Sequence, residues 1–345
     1  MAKGYKDISF QVEAILNDIN KGIFSPIYLL MGEESYYLDI VVNKIIDNAL
    51  DEADRDFNQT ILYGNDTNVS SLTTLARRFP MFAKRQLVVV KEAQMMGSIE
   101  NMIHYCAKPL ESTVLVLLMR GASLDKRKAL YKSILKIGTV LDSPAVKDYE
   151  VPRWIEEFYR AKGLSISPDA AQLLAEHAGT DLRKIALETE KMLKNLPEGC
   201  VKVEVDAIEK NIGISRSFSV FELTKELSAK NSAKALKIAA RIGASPKFFL
   251  PMVMAAIFNH FYRILKYEAF MTKKIPDAKE KAEILGVNPY FFREYDQAVN
   301  NYPIGKTMNI ISLLKEYDYK SKGGDVGEAS HGELLIELVS KILTI

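Results

Sequence analysis

The sequence predicts two fold classes in tandem, α/β followed by α: a five-stranded, mainly parallel sheet crossed by helices, then a small helical domain, then an all-α domain. Three observations predict it. Up to residue 143, short apolar runs alternate with segments of helical periodicity, as expected of a parallel sheet buried on both faces. From Pro144 onward the β pattern stops and apolar residues recur at helical spacing. The chain of 345 residues also exceeds one ordinary domain, so two or three separate cores are expected. The predicted boundaries are 1–143, 144–212 and 213–345.

Residues 8–20 read as an amphipathic helix with Phe10, Val12, Ile15, Leu16 and Ile19 on its apolar face. Ile27 to Met31 reads as a buried strand, and Gly32 turns the chain into a helix over 35–50. Further strands are predicted at 57–63, 87–90, 113–119 and 139–141, with a helix at 70–78 that ends at Pro80. Gly163, Gly179 and the run Pro197-Glu198-Gly199 punctuate two or three helices over 151–196, and a short helix over 205–211 follows. The rest divides into helices near 220–229, 231–242, 246–272, 288–301, 304–319 and 332–345. The polar, Gly-rich stretch Ser321 to Gly327 reads as a mobile loop and not as a phosphate cradle, since no helix-opening Gly-Lys-Ser/Thr follows it.

Composition excludes several functions. No apolar run approaches the roughly 20 residues that span a bilayer, and Met1 to Lys6 leads into a helix without a signal-peptide core, so no membrane partner and a cytoplasmic location are expected. Cys106 and Cys200 are too few for a disulfide scaffold or a thiolate site, and both read as buried small residues. His104, His177, His260 and His331 lack ligand spacing, so no metal is expected. A charge of +2, from 46 basic against 44 acidic residues, argues against a dedicated nucleic-acid binder but leaves room for a local basic surface. The run Lys126-Arg127-Lys128 is the candidate phosphate contact, although a charge run on a helix is usually a solvated face. Trp154, Phe158 and Tyr159 read as packing at a domain junction, and Phe248, Phe249, Met252, Met254, Phe258, Phe261 and Tyr262 as filling of a helical core.

The strand, glycine turn and helix at Met31-Gly32-Glu33-Glu34-Ser35 stand where an α/β domain would hold phosphates. One glycine followed by two carboxylates does not suit a triphosphate, because a P-loop needs several glycines and a Lys. Lys91 stands where the third strand would present a metal-organising Asp, and the fourth ends Leu118-Met119-Arg120 without a polar γ-phosphate sensor. These absences predict a nucleotide-free relative of ATPase subunits, with no cofactor. A divergent ATPase or helicase-loader-type nucleotide switch is the alternative.

The segment Arg77 to Gln86 sets Met81 and Phe82 in a basic surround just before a buried strand. On local pattern the commoner arrangement is an apolar pair tucked under its own sheet; the other is an exposed anchor for a partner's pocket.

Pro26 to Leu38, Phe79 to Val90, Thr113 to Leu130, Ala178 to Ile185 with Glu190-Lys191, Ser219 to Leu223, Leu285 to Phe291 and Asp318 to Gly323 together resemble, in order and spacing, the delta subunit family of the bacterial DNA polymerase III clamp loader. The likeness runs over essentially the whole chain. It implies an AAA+-like α/β domain lacking a P-loop over 1–143, a small lid-like helical domain over 144–212 and a collar domain for oligomerisation over 213–345. It also implies a non-catalytic subunit of a polymerase holoenzyme that neither binds nor hydrolyses ATP. Such a subunit acts in a five-membered complex with gamma/tau and delta-prime subunits, binds the sliding clamp (beta subunit) and opens it for loading onto primed DNA. By this resemblance the clamp-binding residues are Met81 and Phe82 with Pro80 and Lys84; because loader domains of this family wrap primed DNA, Lys126, Arg127 and Lys128 are the candidates for touching its phosphates, against the commoner solvated face. No arginine finger is expected, and there is no Ser-Arg-Cys motif.

Overall fold

Burial on both faces is what an uninterrupted apolar strand demands, and the run from Ile27 occupies such a position. In the computed structural model, which describes residues 5–197, 199–212, 215–245, 248–273, 276–324 and 329–345, the elements up to Val146 are α1 (Tyr5–Asn20), β1 (Ile27–Gly32), α2 (Ser35–Asn48), α3 (Arg55–Asn58), β2 (Gln59–Tyr63), α4 (Val69–Ala76), β3 (Gln86–Lys91), α5 (Ile103–Cys106), β4 (Thr113–Arg120), α6 (Ala129–Ile137) and β5 (Thr139–Ser143). The strands form one sheet in the order β2-β3-β4-β1-β5, every neighbour parallel. Register places Gly32 beside Arg120 and Tyr63 beside Lys91, so these residues share the carboxyl end of the sheet. On one face Ile27, Leu29, Met31, Val88, Val90, Leu115, Leu117 and Met119 pack with Leu72, Met102, Tyr105, Leu130 and Ile134 from the helices. Alternate residues such as Leu30, Val89, Val116 and Leu118 are equally buried on the other face, which α1 and α2 cover.

The chain divides into two compact units, Met1–Val146 and Lys147–Ile345. The second contains α7 (Val151–Ala161), β6 (Ser165–Ile166), α8 (Pro168–Ala178), α9 (Leu182–Leu193), β7 (Lys202–Val203), α10 (Val205–Ile212), α11 (Ser215–Ser228), α12 (Ser232–Gly243), α13 (Leu250–Met271), α14 (Ala278–Leu285), α15 (Phe292–Asn301), α16 (Ile304–Ser321) and α17 (His331–Thr344). Helices α11 to α17 bury one apolar cluster centred on Leu223, Ile257, Phe261, Tyr302 and Leu338.

Several sequence expectations fail locally. Phe10 is exposed, because the buried stripe of α1 is Ile8, Val12, Ile15 and Ile19. Phe57 and Asn58 end a short helix instead of opening β2. The β pattern does not stop at Pro144, since β6 and β7 form a two-residue parallel pair. Helix α14 went unforeseen, although Asp277 and Glu280 form a capping box at its start. Cys106 is buried, but Cys200 is only half-buried. Of the residues expected to fill the helical core around α13, Met254 and Phe261 are buried and Phe248 is half-buried against the core, whereas Phe249, Met252, Phe258 and Tyr262 are exposed. Trp154 and Tyr159 do serve packing: both are buried, with Trp154 stacked on Phe158 at 4.9 Å. The 212/213 boundary falls on Gly213 and Ile214, outside the described residues, as do Met1 to Gly4, Glu198, Pro246 and the Asp325 to Gly327 part of the loop. Among the described residues no helix is long and apolar enough to cross a membrane, and no cluster of His, Cys, Asp and Glu could hold a metal.

One polar knot sits in the second unit. Ser228 Oγ lies 2.8 Å from His260 Nε2 and donates to Glu294 Oε1 at 3.4 Å, tying α11 to α13 and α15. Burial pushes the Glu294 carboxyl from 4.5 up to about 7 and His260 from 6.5 down to about 3. Between pH 4.5 and 7 the folded chain keeps a proton on Glu294 that the unfolded chain releases, so this group's contribution to stability falls as pH rises through that window. His260 has the opposite slope, losing stability as pH falls from 6.5 towards 3, but it cancels when two chains that both carry it are compared. Glu294→Gln is therefore expected to raise the melting temperature at about pH 8 and to leave it unchanged near about pH 4. Equal differences at both pH values in paired thermal melts would refute the assignment.

Candidate functional site

Helix α4 ends before Pro80, and residues 77–85 connect it to β3. On this connection Phe79 is 77% and Met81 54% exposed, while the Phe82 side chain is fully exposed. Pro80 is half-buried and Lys84 exposed. Phe82 has φ of +55°, in the left-handed region that residues with a bulky side chain rarely adopt. A non-glycine residue there is held by its surroundings, at a cost of about 1 kcal/mol or more. The pair is thus not tucked under the sheet.

Both ends and the middle of the connection are tied down by side chains. Gln86, the buried first residue of β3, donates through Nε2 to the carbonyl of Arg78 at 2.6 Å and to Thr113 Oγ1 at 2.8 Å. Thr113 Oγ1 in turn donates to the Ala76 carbonyl at 2.8 Å. The Ala76 and Arg78 carbonyls at and beyond the end of α4 are thereby satisfied by two buried polar residues of the sheet. Near the middle, Met81 N–H donates to Asn58 Oδ1 at 2.7 Å, and Asn58 Nδ2 donates to the Met81 carbonyl at 2.9 Å. Toward β3, the Arg85 guanidinium lies 4.5 Å from the centre of the Phe24 ring. Sequence reasoning does not single out Asn58, Gln86 or Thr113: the partners of Asn58 and Thr113, Met81 and Ala76, lie 23 and 37 positions away, and the nearer bond of Gln86 to Arg78 carries no motif.

The carboxyl end of the sheet is the other place where an α/β domain does chemistry. Here several of its polar groups are partnered within the chain. Gly32 N–H donates to the Ala122 carbonyl and Gly121 N–H to the Gly32 carbonyl, both at 2.9 Å, so the turn after β4 takes up both backbone groups of the glycine. Glu34 N–H donates to the Ser143 carbonyl at 3.0 Å, and the Glu34 carboxylate accepts from Tyr36 N–H at 2.7 Å, capping α2 with the chain's own anion. Arg120 binds Asp39 on α2 at 2.5 Å and Glu92 at 3.4 Å, and Gln94 donates to Glu92 at 2.7 Å. The acidic residue at the end of β3 is thus Glu92, next to Lys91, and it is engaged with an arginine.

Lys126, Arg127 and Lys128 precede α6 on a turn and not on a helix, because Lys128 is the residue before the first helical turn. Each is paired: Lys126 with Asp142, Arg127 with Asp125 at 2.9 Å and Lys128 with Glu100 at 2.7 Å. The structure does not bring these cations together with the apolar pair into one cluster of contacts.

Residues 28–143, which include the sheet and the exposed connection, match the family described as DNA polymerase III, delta subunit, and residues 217–338 match the DNA polymerase III delta subunit, C-terminal domain. The chain is similar to DNA polymerase III subunit delta of Bacillus subtilis (strain 168), 22% identical over 334 residues and 94% of each chain. It is also similar to a probable DNA polymerase III subunit delta of Aquifex aeolicus (strain VF5), 21% identical over 315 residues and 86% of each. Among solved structures, the Bacillus subtilis DNA clamp loader delta protein shares its fold, with a TM-score of 0.62, 23% identity and coverage of 97% of this chain and 100% of that one.

Proposed function

The chain belongs to the DNA polymerase III delta subunit family, and from that premise we propose that it binds the ring-shaped sliding clamp through Met81 and Phe82, opens the ring for loading onto primed DNA, and does so without binding ATP. The observation that carries this reading is the Phe82 ring, wholly exposed on a left-handed backbone beside a half-exposed methionine. An aromatic held out at a conformational cost, beside a flexible thioether, suits insertion into an apolar pocket on a partner. Pro80 limits the backbone on one side, and Lys84 supplies a rim charge for an acidic surround.

As a clamp-loader subunit the chain acts in a complex with other loader subunits. We assign that assembly, with gamma/tau and delta-prime partners, to the collar residues 213–345, and a lid-like role to 144–212. Phosphate contact by Lys126, Arg127 and Lys128 would require exchange of their present carboxylate partners, a switch between ion pairs of similar strength. The clamp reading is tested by size-exclusion chromatography of the purified chain mixed with its sliding clamp. A single complex at micromolar concentrations is expected, and separate elution would sink the proposal.

Independence from nucleotide rests on the occupied Gly32 backbone, the carboxylate cap on α2 and the Arg120 ion pairs. A triphosphate would have to displace Glu34 and face Glu33 beside it. Fluorescence titration with a labelled ATP analogue is expected to show no saturable binding in the micromolar range. Saturation with turnover would favour the alternative of a divergent ATPase.

A further inference from the structure

Asn58 closes α3 and is only 4% exposed, although it lies next to the exposed Phe57. Its carboxamide accepts from Met81 N–H at 2.7 Å and donates to the Met81 carbonyl at 2.9 Å and to the Asp54 carbonyl at 3.1 Å. A carboxamide is the side-chain group that presents a donor and an acceptor side by side, so it can grip both backbone groups of one residue as a neighbouring strand would. Met81 is fixed by this clasp one position before Phe82, whose left-handed φ sets the direction of the exposed ring.

We propose that Asn58 is a positioning residue for the clamp anchor: it preorganises Met81 and Phe82 in their binding geometry before the clamp arrives. This rests on the reading that the pair is the anchor. A free connection of this length samples many backbone states, and its ordering on contact is a cost subtracted from affinity. Gln86 holds the two ends through the Arg78 carbonyl and its own place in β3, which leaves the middle to Asn58. If release of the clasp cuts the fraction in binding geometry to between about a tenth and a hundredth, apparent affinity falls about 10- to 100-fold with no contact to the clamp removed.

The test uses the full chain. Amide hydrogen exchange on the free wild-type protein is expected to show the Met81 N–H protected relative to Phe82 and Ala83. An unprotected Met81 amide would overturn the proposal without any variant. Asn58→Ala and Asn58→Asp are then compared by clamp affinity, by exchange over residues 77–86 and by melting temperature. Asn58→Asp keeps an acceptor for the Met81 N–H but turns a carboxylate toward two carbonyl oxygens, so both variants are expected to speed exchange and weaken clamp binding about 10- to 100-fold. Unchanged affinity in both, while Met81→Ala with Phe82→Ala abolishes binding, would overturn the role of Asn58 and leave the anchor standing. Normal clamp binding by that double variant would overturn the anchor itself, and the Asn58 proposal with it.

Discussion

Exchange of Met81 and Phe82 together for alanine is expected to abolish detectable clamp binding while shifting the melting temperature by no more than about 2 °C. The two losses separate because the side chains stand outside the core. Truncation of a buried core Phe costs roughly 3 to 5 kcal/mol of stability, since a cavity is left behind. Phe82 is fully exposed and Met81 more than half exposed, so their removal opens no cavity. Truncation of an interface anchor costs about 2 to 4 kcal/mol of binding, or roughly 30- to 1,000-fold in affinity, and two adjacent anchors compound the loss. Alanine keeps a Cβ at the left-handed position, so the strain at residue 82 persists and does not confound the comparison. Assembly with the other loader subunits is expected to survive. Lys84→Ala is expected to be milder, with a slower association rate and a shallower salt dependence, because an exposed rim charge steers encounter more than it holds the complex. A double variant that melts far lower while its folded fraction binds the clamp normally would show the pair to be internal.

Gly32→Ala is expected to be the most damaging single substitution at the sheet, at about 3 kcal/mol or more of stability. Gly32 has φ of +131°, where a side chain is strained, and a Cβ built on it would lie 2.1 Å from the Ser143 carbonyl oxygen and 2.7 Å from the Ser143 nitrogen. These are backbone atoms at the end of β5, and they cannot swing aside. Displacement would also disturb the Glu34 N–H to Ser143 carbonyl bond and the pairing of Gly32 with Ala122. Gly22→Ala is the control. Its φ of +74° is strained too, but nothing lies within 4 Å of the added Cβ, so a loss of about 1 kcal/mol is expected. Urea unfolding followed by far-UV circular dichroism compares the two, and a Gly32→Ala chain as stable as the control would refute the close approach. A glycine at the end of the first strand is therefore needed here for backbone packing, the opposite of its use around a phosphate.

The five strands were legible in the sequence because each carries an uninterrupted or alternating apolar run, and burial on two faces leaves few other solutions. The single glycine and the two carboxylates of Gly32-Glu33-Glu34 were legible too, since charge and the absence of a Cβ are properties of residue type. The last helices read correctly to within a few residues, from periodicity alone. Phe57 misled, because an aromatic beside a β-rich run suits a strand by propensity, yet Asn58 must close a helical turn to reach Met81.

By itself, then, the sequence determined the class of the fold, the order of its strands along the chain, and the presence of an apolar pair on a short connection, because each follows from composition and spacing over a few neighbouring residues. Only the tertiary structure decided whether that pair faces inward or outward. The deciding contacts are Asn58 on Met81 and Gln86 on the end of α4, together with the left-handed backbone of Phe82. Two of these are hydrogen bonds between buried polar side chains and backbone groups of the connection. Their energy exists only once the fold has removed both partners from water.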